Sequence, residues 1–157
     1  MILYATMKKG IKGAWEMDRG ITEILRDKGF KVTPQRLAIY KILKESYDHP
    51  SAEMVYEKLQ SRYPTMSLAT VYKTIEVFLE IDLVHYLNVG EDKARYDAHT
   101  HPHAHMVCDK CSEILDIEDS ELKNLQDSIE VASGYQINRA RVYFHGVCPR
   151  CAKKSAN

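Results

Sequence analysis

Four cysteines stand in two C-x-x-C pairs, Cys108/Cys111 and Cys148/Cys151, with residues 112–147, 36 in all, between them. A tight turn at each pair presents two sulfurs to one ion. Two such turns complete the tetrahedral thiolate set that a structural zinc takes. That site is closed, with no position left for water or substrate, so it cross-links the chain and does not hydrolyse anything. The pairs therefore predict a Zn2+ that ties a hairpin at 108–111 to a chain segment at 148–151. Asp109-Lys110 and Pro149-Arg150 inside the pairs suit turns. A redox dithiol is the competing reading, but the βα unit that precedes such a motif is missing. Met1–Trp15 holds no long apolar run, which predicts no signal peptide, and no stretch is long enough to span a membrane. A cytoplasmic location is expected, where thiols stay reduced and paired cysteines serve as metal hooks.

A histidine cluster, His99, His101, His103 and His105, leads into the first pair. These side chains cannot join a site that four thiolates fill, so they point to a second metal of different chemistry. His103 and His105 are two apart on an extended segment and face the same way. Folding the chain back at the 108–111 turn brings Asp116 opposite them, and Asp97 lies six residues before His103. His49 is distant in sequence, in a loop from which it can reach across. Nitrogen and carboxylate donors without sulfur suit Fe2+, Mn2+ or Zn2+. The competing reading is a histidine-rich surface patch, and His99 and His101 are assigned to it, or to an accessory role. His85 and His145 fall in strand patterns and are assigned packing or surface roles.

The pattern along the chain predicts an α+β fold. Residues 1–16 show no clear period and read as an extension. Helical periodicity begins at Met17 and stops at Lys28-Gly29. Thr33 caps a second helix with Pro34 in its first turn, Ser51 caps a third running to about Arg62, and Ser67 caps a fourth from Leu68 to about Glu80. Leu83–Leu87, a turn at 88–92 and Ala94–Tyr96 then read as a hairpin. Helices followed by a hairpin is the order of a winged helix, whose last helix before the wing enters the major groove of DNA. Beyond it the pattern gives strands at His105–Cys108 and Ser112–Ile117, a helix from Asp119 to about Ala132, and a long strand from Tyr135 to Phe144 that delivers the second cysteine pair. This half is too short for a large core of its own, and a zinc cross-link and dimerisation are the usual remedies.

The 157-residue chain has no net charge, but residues 1–44 carry ten Lys/Arg against four Asp/Glu. A basic end can meet phosphate even when the whole is neutral. The same charges are equally consistent with a solvated helix face.

The fragments TPQR (33–36), HPSAEMVY (49–56), SLATVYKTIEVF (67–78), RYD (95–97), HAHMVCDKC (103–111) and GVCPRC (146–151) together resemble the ferric uptake regulator (Fur) superfamily over about residues 18–154. The pattern is most similar to the peroxide-sensing PerR branch. The resemblance implies a homodimeric repressor of operator DNA, not an enzyme. It divides the chain into an extension (1–16), a winged-helix DNA-binding domain (17–97) and a small α/β dimerisation and metal-binding domain (98–157) with a four-cysteine zinc site. It assigns structural zinc to Cys108, Cys111, Cys148 and Cys151. It assigns a regulatory Fe2+ or Mn2+ to His49, Asp97, His103, His105 and Asp116, and DNA contacts to Lys31, Arg36, Ser67, Thr70, Tyr72 and Lys73. Asp in place of Glu at position 116 is the residue that the resemblance associates with peroxide responsiveness.

By the same resemblance, hydrogen peroxide acts through bound Fe2+ to oxidise His49 or His103, the metal leaves and repression ends. Metal ions and peroxide are then the only small molecules the chain meets. The alternative within the class is an iron- or zinc-responsive repressor of metal uptake. Those relatives carry a further histidine eight residues before the third cysteine, where this chain has Ala140. Outside the class, a metal-dependent hydrolase needs an open ligand position and a nucleophile or HExxH motif, and none is found. A zinc-ribbon interaction module without DNA binding does not explain the helices and hairpin.

Overall fold

The computed structural model describes residues 14–89, 94–101, 103–117, 120–138 and 140–155. The expectations for residues 1–13 and for most of the turn at 88–92 lie outside these. The described elements are α1 (Ala14–Asp27), α2 (Pro34–Glu45), α3 (Ala52–Gln60), α4 (Leu68–Glu80), β1 (His85–Leu87), β2 (Arg95–Asp97), β3 (Ala104–Cys108), β4 (Ile114–Ile117), α5 (Ser120–Ser133), β5 (Val142–Gly146) and α6 (Pro149–Ser155).

Helix starts follow local chemistry. The hydroxyls of Thr33, Ser51 and Ser67 accept the backbone N–H groups of Arg36, Met54 and Thr70, which would otherwise lack partners in the first turns of α2, α3 and α4. Helix α1 is described from Ala14, three residues before the periodicity indicates, and Ala14 and Glu16 are strong helix formers. Helices α1–α4 close on one core in which Leu25, Ile39, Leu43, Val55, Val71 and Phe78 are fully buried. Tyr40 and Phe78 meet edge to face there, with ring centroids 5.6 Å apart.

The hairpin β1–β2 is antiparallel, with Tyr86 opposite Tyr96. A second sheet has the order β4–β3–β5, antiparallel between β3 and β4 and parallel between β3 and β5. A smaller core of Leu87, Val89, Val107 and Ile114 joins the end of the hairpin to this sheet.

The long strand expected over Tyr135–Phe144 forms only from Val142. Helix α5 ends on Gly134, at φ +71°, whose N–H donates to the Glu130 carbonyl. The Tyr135 and Ile137 N–H groups then go to the Ser133 hydroxyl and the Glu130 carboxylate, not to a strand, and pairing with β3 begins at Val142. Pro149 starts a short helix, α6, where the cysteine pattern suggests only a turn.

Candidate metal centres

The cysteine pairs converge as the spacing predicts. The Cys108 carbonyl accepts the Ser112 N–H, which closes the first knuckle at the β3 end, and the Cys148 carbonyl accepts the Ala152 N–H, which closes the second at the start of α6. One sulfur from each of the four cysteines lies within 4.8 Å of the others. Cys111 Sγ and Cys148 Sγ are 3.7 Å apart. A tetrahedral ion about 2.3 Å from each sulfur separates them by about 3.8 Å. All four cysteines are free of disulfides. The Cys148 and Cys151 amides point at Cys108 Sγ and Cys148 Sγ. Those amide hydrogen bonds favour thiolate, and Cys108 is drawn down to about 6 by that from Cys148, while sharing of hydrogen bonds with Cys111 pushes Cys151 up to about 12. One thiolate forms readily and the last resists, the behaviour of four sulfurs too close together to be charged without a cation.

The second cluster draws on four elements. His103 and His105 flank Ala104 at the start of β3 and face one side. The β3–β4 register sets Asp116 opposite His105. Asp97 ends β2. His49 comes from the α2–α3 loop at φ +45°, a left-handed backbone rare for a non-glycine residue, and such strain collects at functional sites. The Tyr96 N–H donates to the Pro50 carbonyl at 3.3 Å, fastening the His49 loop beside Asp97.

The donor atoms point inward. His49 Nε2 lies 2.5 Å from Asp116 Oδ1, and His103 Nε2 lies 3.0 Å from His105 Nε2. Asp97 Oδ2 is 3.3 Å from His103 Nε2 and 3.7 Å from His105 Nε2, and Asp116 Oδ1 is 3.7 Å from both imidazoles. An ion about 2.1 Å from each donor sets neighbouring donors about 3.0 Å apart at right angles and about 3.6 Å apart at 120°. The observed spacings match apart from the short His49–Asp116 hydrogen bond.

The electrostatics call for a cation. His49 and Asp97 are essentially without solvent exposure, and Asp97 Oδ2 has no hydrogen-bond partner. Burial pushes both carboxyls up, but the imidazoles outweigh it: His103 and His105 hold Asp97 well below the usual carboxylate range, and His49 lowers Asp116. Asp97 in turn raises His103 to about 9 against burial. The carboxylates of buried Asp97 and part-buried Asp116 converge here, and a divalent ion would compensate their charge. His103 Nδ1–H donates to the His101 carbonyl at 2.8 Å, which fixes the ring and turns Nε2 inward, the arrangement expected of a metal-ligating histidine. A cavity of about 410 Å³ opens on Asp97, His103 and His105, with His85, His101 and Arg141 across it.

The residue pattern leaves His99 as a surface or an accessory histidine. Instead its ring is buried, stacked on Tyr47, with Nδ1 3.4 Å from Asp97 Oδ1. Tyr143, stacked on His105 with centroids 5.5 Å apart, escapes sequence reasoning and cannot be seen without the parallel β3–β5 register. His101 is exposed, and His145 pairs with Asp109 at 3.4 Å on the surface.

The residues assigned to DNA lie on two surfaces. Ser67 and Thr70 form the start of α4, their hydroxyls 2.9 Å apart, and Tyr72 and Lys73 are exposed one turn on. Tyr72 donates to the Glu53 carboxylate at 2.5 Å, which raises it to about 12. At the start of α2, Arg36 donates to the Lys31 carbonyl at 2.6 Å and lies over the Phe30 ring, with Lys31 exposed.

A sequence model of the ferric uptake regulator family matches residues 27–145. The chain belongs to the ferric uptake regulator family. Among Fur-family relatives, the peroxide-responsive repressor PerR of Staphylococcus epidermidis is 33% identical over 139 residues, covering 88% of this chain and 92% of that protein. The Campylobacter jejuni peroxide stress regulator has a similar structure, with a TM-score of 0.70 at 31% identity, covering 90% of this chain and 100% of that one. The Pseudomonas aeruginosa ferric uptake regulator, solved with manganese, gives 0.71 at 30% identity, covering 82% and 97%. These two structures, one named for peroxide and one for iron, are thus equally near. As a Fur-family member the chain is a metal-responsive transcriptional regulator and not an enzyme. Among the described residues no helix is long and apolar enough to cross a membrane.

Proposed function

We propose that the chain is a cytoplasmic, metal-dependent repressor that binds operator DNA as a homodimer and is released by hydrogen peroxide. The observation that carries this reading is a pair of donor triads, His49–His105–Asp116 and Asp97–His103–His105, that share His105 and together supply five donor residues. His49 comes from among the helices, Asp97 from the end of the hairpin, and His103, His105 and Asp116 from the β4–β3–β5 sheet. An ion held by all five fastens the helices to the sheet. In a dimer that fastening sets the separation of the two α4 helices, and half-site spacing governs operator affinity. Driving such a switch from mostly off to mostly on takes about 5.5 kcal/mol of differential binding. Breaking the cluster forfeits the contribution of His49 and Asp97, whose burial leaves them no alternative partners in water.

Zn2+ fits the four thiolates, and Fe2+ or Mn2+ fits the histidine–carboxylate cluster. Bound Fe2+ supplies one-electron chemistry toward hydrogen peroxide, which Mn2+ does not. The chain's part is to hold His49 and His103 within reach of that chemistry, leave an approach through the cavity on Asp97 and His103, and present Asp116 as the short carboxylate. An oxidised His49 or His103, with one oxygen added to a ring carbon, keeps both nitrogens but no longer offers an imidazole lone pair, and the helices and sheet would come apart.

Support for a homodimer comes from the sheet. Met106, Leu115 and Phe144 stand in register across β4–β3–β5, and all three are roughly half exposed. Three adjacent apolar side chains on one sheet face are what a second copy covers. For DNA, the exposed Tyr72 and Lys73 on α4, with the capping Ser67 and Thr70, form the reading surface, and Lys31 and Arg36 flank it.

The test is peptide mass spectrometry of iron-loaded protein after peroxide. One added oxygen atom is expected in the peptides bearing His49 or His103, with operator release in parallel. Unmodified peptides alongside complete operator release sink the oxidation step.

A further inference from the structure

We propose that His99 is a positioning residue for the five-donor cluster: its Nδ1–H, with its own backbone N–H, engages Asp97 Oδ1 and leaves Oδ2 as the oxygen turned to the metal. The inference rests on the metal reading above.

Asp97 is a buried carboxylate with two distinguishable oxygens. Oδ1 accepts the His99 backbone N–H at 2.7 Å and has His99 Nδ1 3.4 Å away, just within hydrogen-bond reach. Oδ2 faces His103 and His105 and has no hydrogen-bond partner. His99 Nδ1 is likewise a buried polar atom without a partner. Leaving a donor unsatisfied in a buried ring is costly, and the acceptor beside it is Oδ1. A slight tilt of the ring makes that bond.

The ring is held for this task. Tyr47 stacks on its outer face, with centroids 4.8 Å apart and planes 17° from parallel. Lys44 Nζ donates to the carbonyl of Ala98, the residue between Asp97 and His99, at 3.0 Å. Two residues beyond the end of β2, the chain places His99 against the Asp97 carboxylate through its own backbone N–H.

A carboxylate with one oxygen doubly engaged offers an ion its other oxygen only. It cannot swing to bind through both, so the donor count stays at five and the cavity side stays open to a small molecule. Partners of this kind, behind a ligand, are typically worth about 10–100-fold in metal affinity.

The test separates the N–H from the ring. His99→Phe keeps the stack on Tyr47 and removes the donor. His99→Asn keeps a donor near the Nδ1 position and removes the stack. Mn2+ affinity is measured by electron paramagnetic resonance of the free ion, on protein whose zinc content per chain verifies the fold. The expected result is about a 10–100-fold loss for His99→Phe and under about 3-fold for His99→Asn. The Co2+ absorption spectrum is expected to change for His99→Phe only, as Asp97 gains freedom to bind through both oxygens. Unchanged affinity in His99→Phe, or an equal loss in both variants, overturns the proposal in favour of plain packing. Wild-type protein that takes up zinc but no Mn2+ overturns the underlying metal reading, and this one with it.

Discussion

Raising the pH tightens the grip of the five-donor cluster on Mn2+, and the lever is His103. Asp97 beside it lifts His103 to about 9, with burial pulling the other way and the His101 carbonyl adding to the rise. Near pH 7 the ion-free protein therefore holds His103 doubly protonated. The Nδ1 proton goes to the His101 carbonyl, and the Nε2 proton points to His105 Nε2, with the Asp97 carboxylate 3.3 Å away. A metal ion needs the Nε2 lone pair, so that proton leaves as the ion enters. Asp97 and Asp116, both held low, are ionised throughout and release nothing.

The proton displaced from His103 makes the apparent affinity rise about 10-fold per pH unit, hence about 100-fold between about pH 6 and pH 8, with a plateau above about 9. Fold stability in the ion-free protein runs the opposite way. The raised His103 value stabilises the fold fully below the ordinary histidine value of about 6.5, and that contribution is lost as the pH climbs through about 9. Calorimetric titration of Mn2+ into zinc-loaded protein, in buffers of differing ionisation enthalpy, counts the protons directly. Affinity that stays flat over this window, with no proton released, refutes the assignment of His103 as the proton-bearing ligand.

Two further outcomes follow from the packing. Phe78→Ala removes a fully buried ring from the helical core and is expected to cost about 3–5 kcal/mol in urea unfolding; a cost under about 1 kcal/mol would mean the core does not pack on Phe78. Phe144→Glu places a charge on the exposed apolar sheet face and is expected to yield monomers in sedimentation velocity while zinc content is unchanged; a persistent dimer excludes this face as the interface.

The features legible in the sequence are those written in short-range chemistry. Thr33, Ser51 and Ser67 announce helix starts because a cap needs only its own next three residues. The cysteine knuckles announce themselves because a tight turn fixes the sulfur pair whatever the rest of the chain does. His103, His105 and Asp116 follow from strand parity and one hairpin fold. The errors occur where a partner lies far along the chain. The Tyr135–Phe144 run has strand-like composition throughout, but a strand exists only where β3 offers a ladder, from Val142 onward. His99 reads as one more surface histidine until the Asp97 carboxylate is seen behind it and the Tyr47 ring in front.

The two centres are arranged in series along β3. His103 and His105 sit at one end of that strand and Cys108 at the other. Cys108 lies opposite Gly146 of β5, two residues before Cys148, so an ion among the four sulfurs locks the β3–β5 register. His105 and Asp116 are paired in the adjoining β3–β4 register, so the same lock holds three of the five donors in place before any second ion arrives. The remaining two, His49 and Asp97, are fastened to each other through the Tyr96–Pro50 hydrogen bond and belong to the helical side. On the proposed reading, the second ion joins two preformed halves and organises neither. This division suits a switch: opening it separates the halves without dismantling either, and the cysteine site keeps the sheet ready to close again.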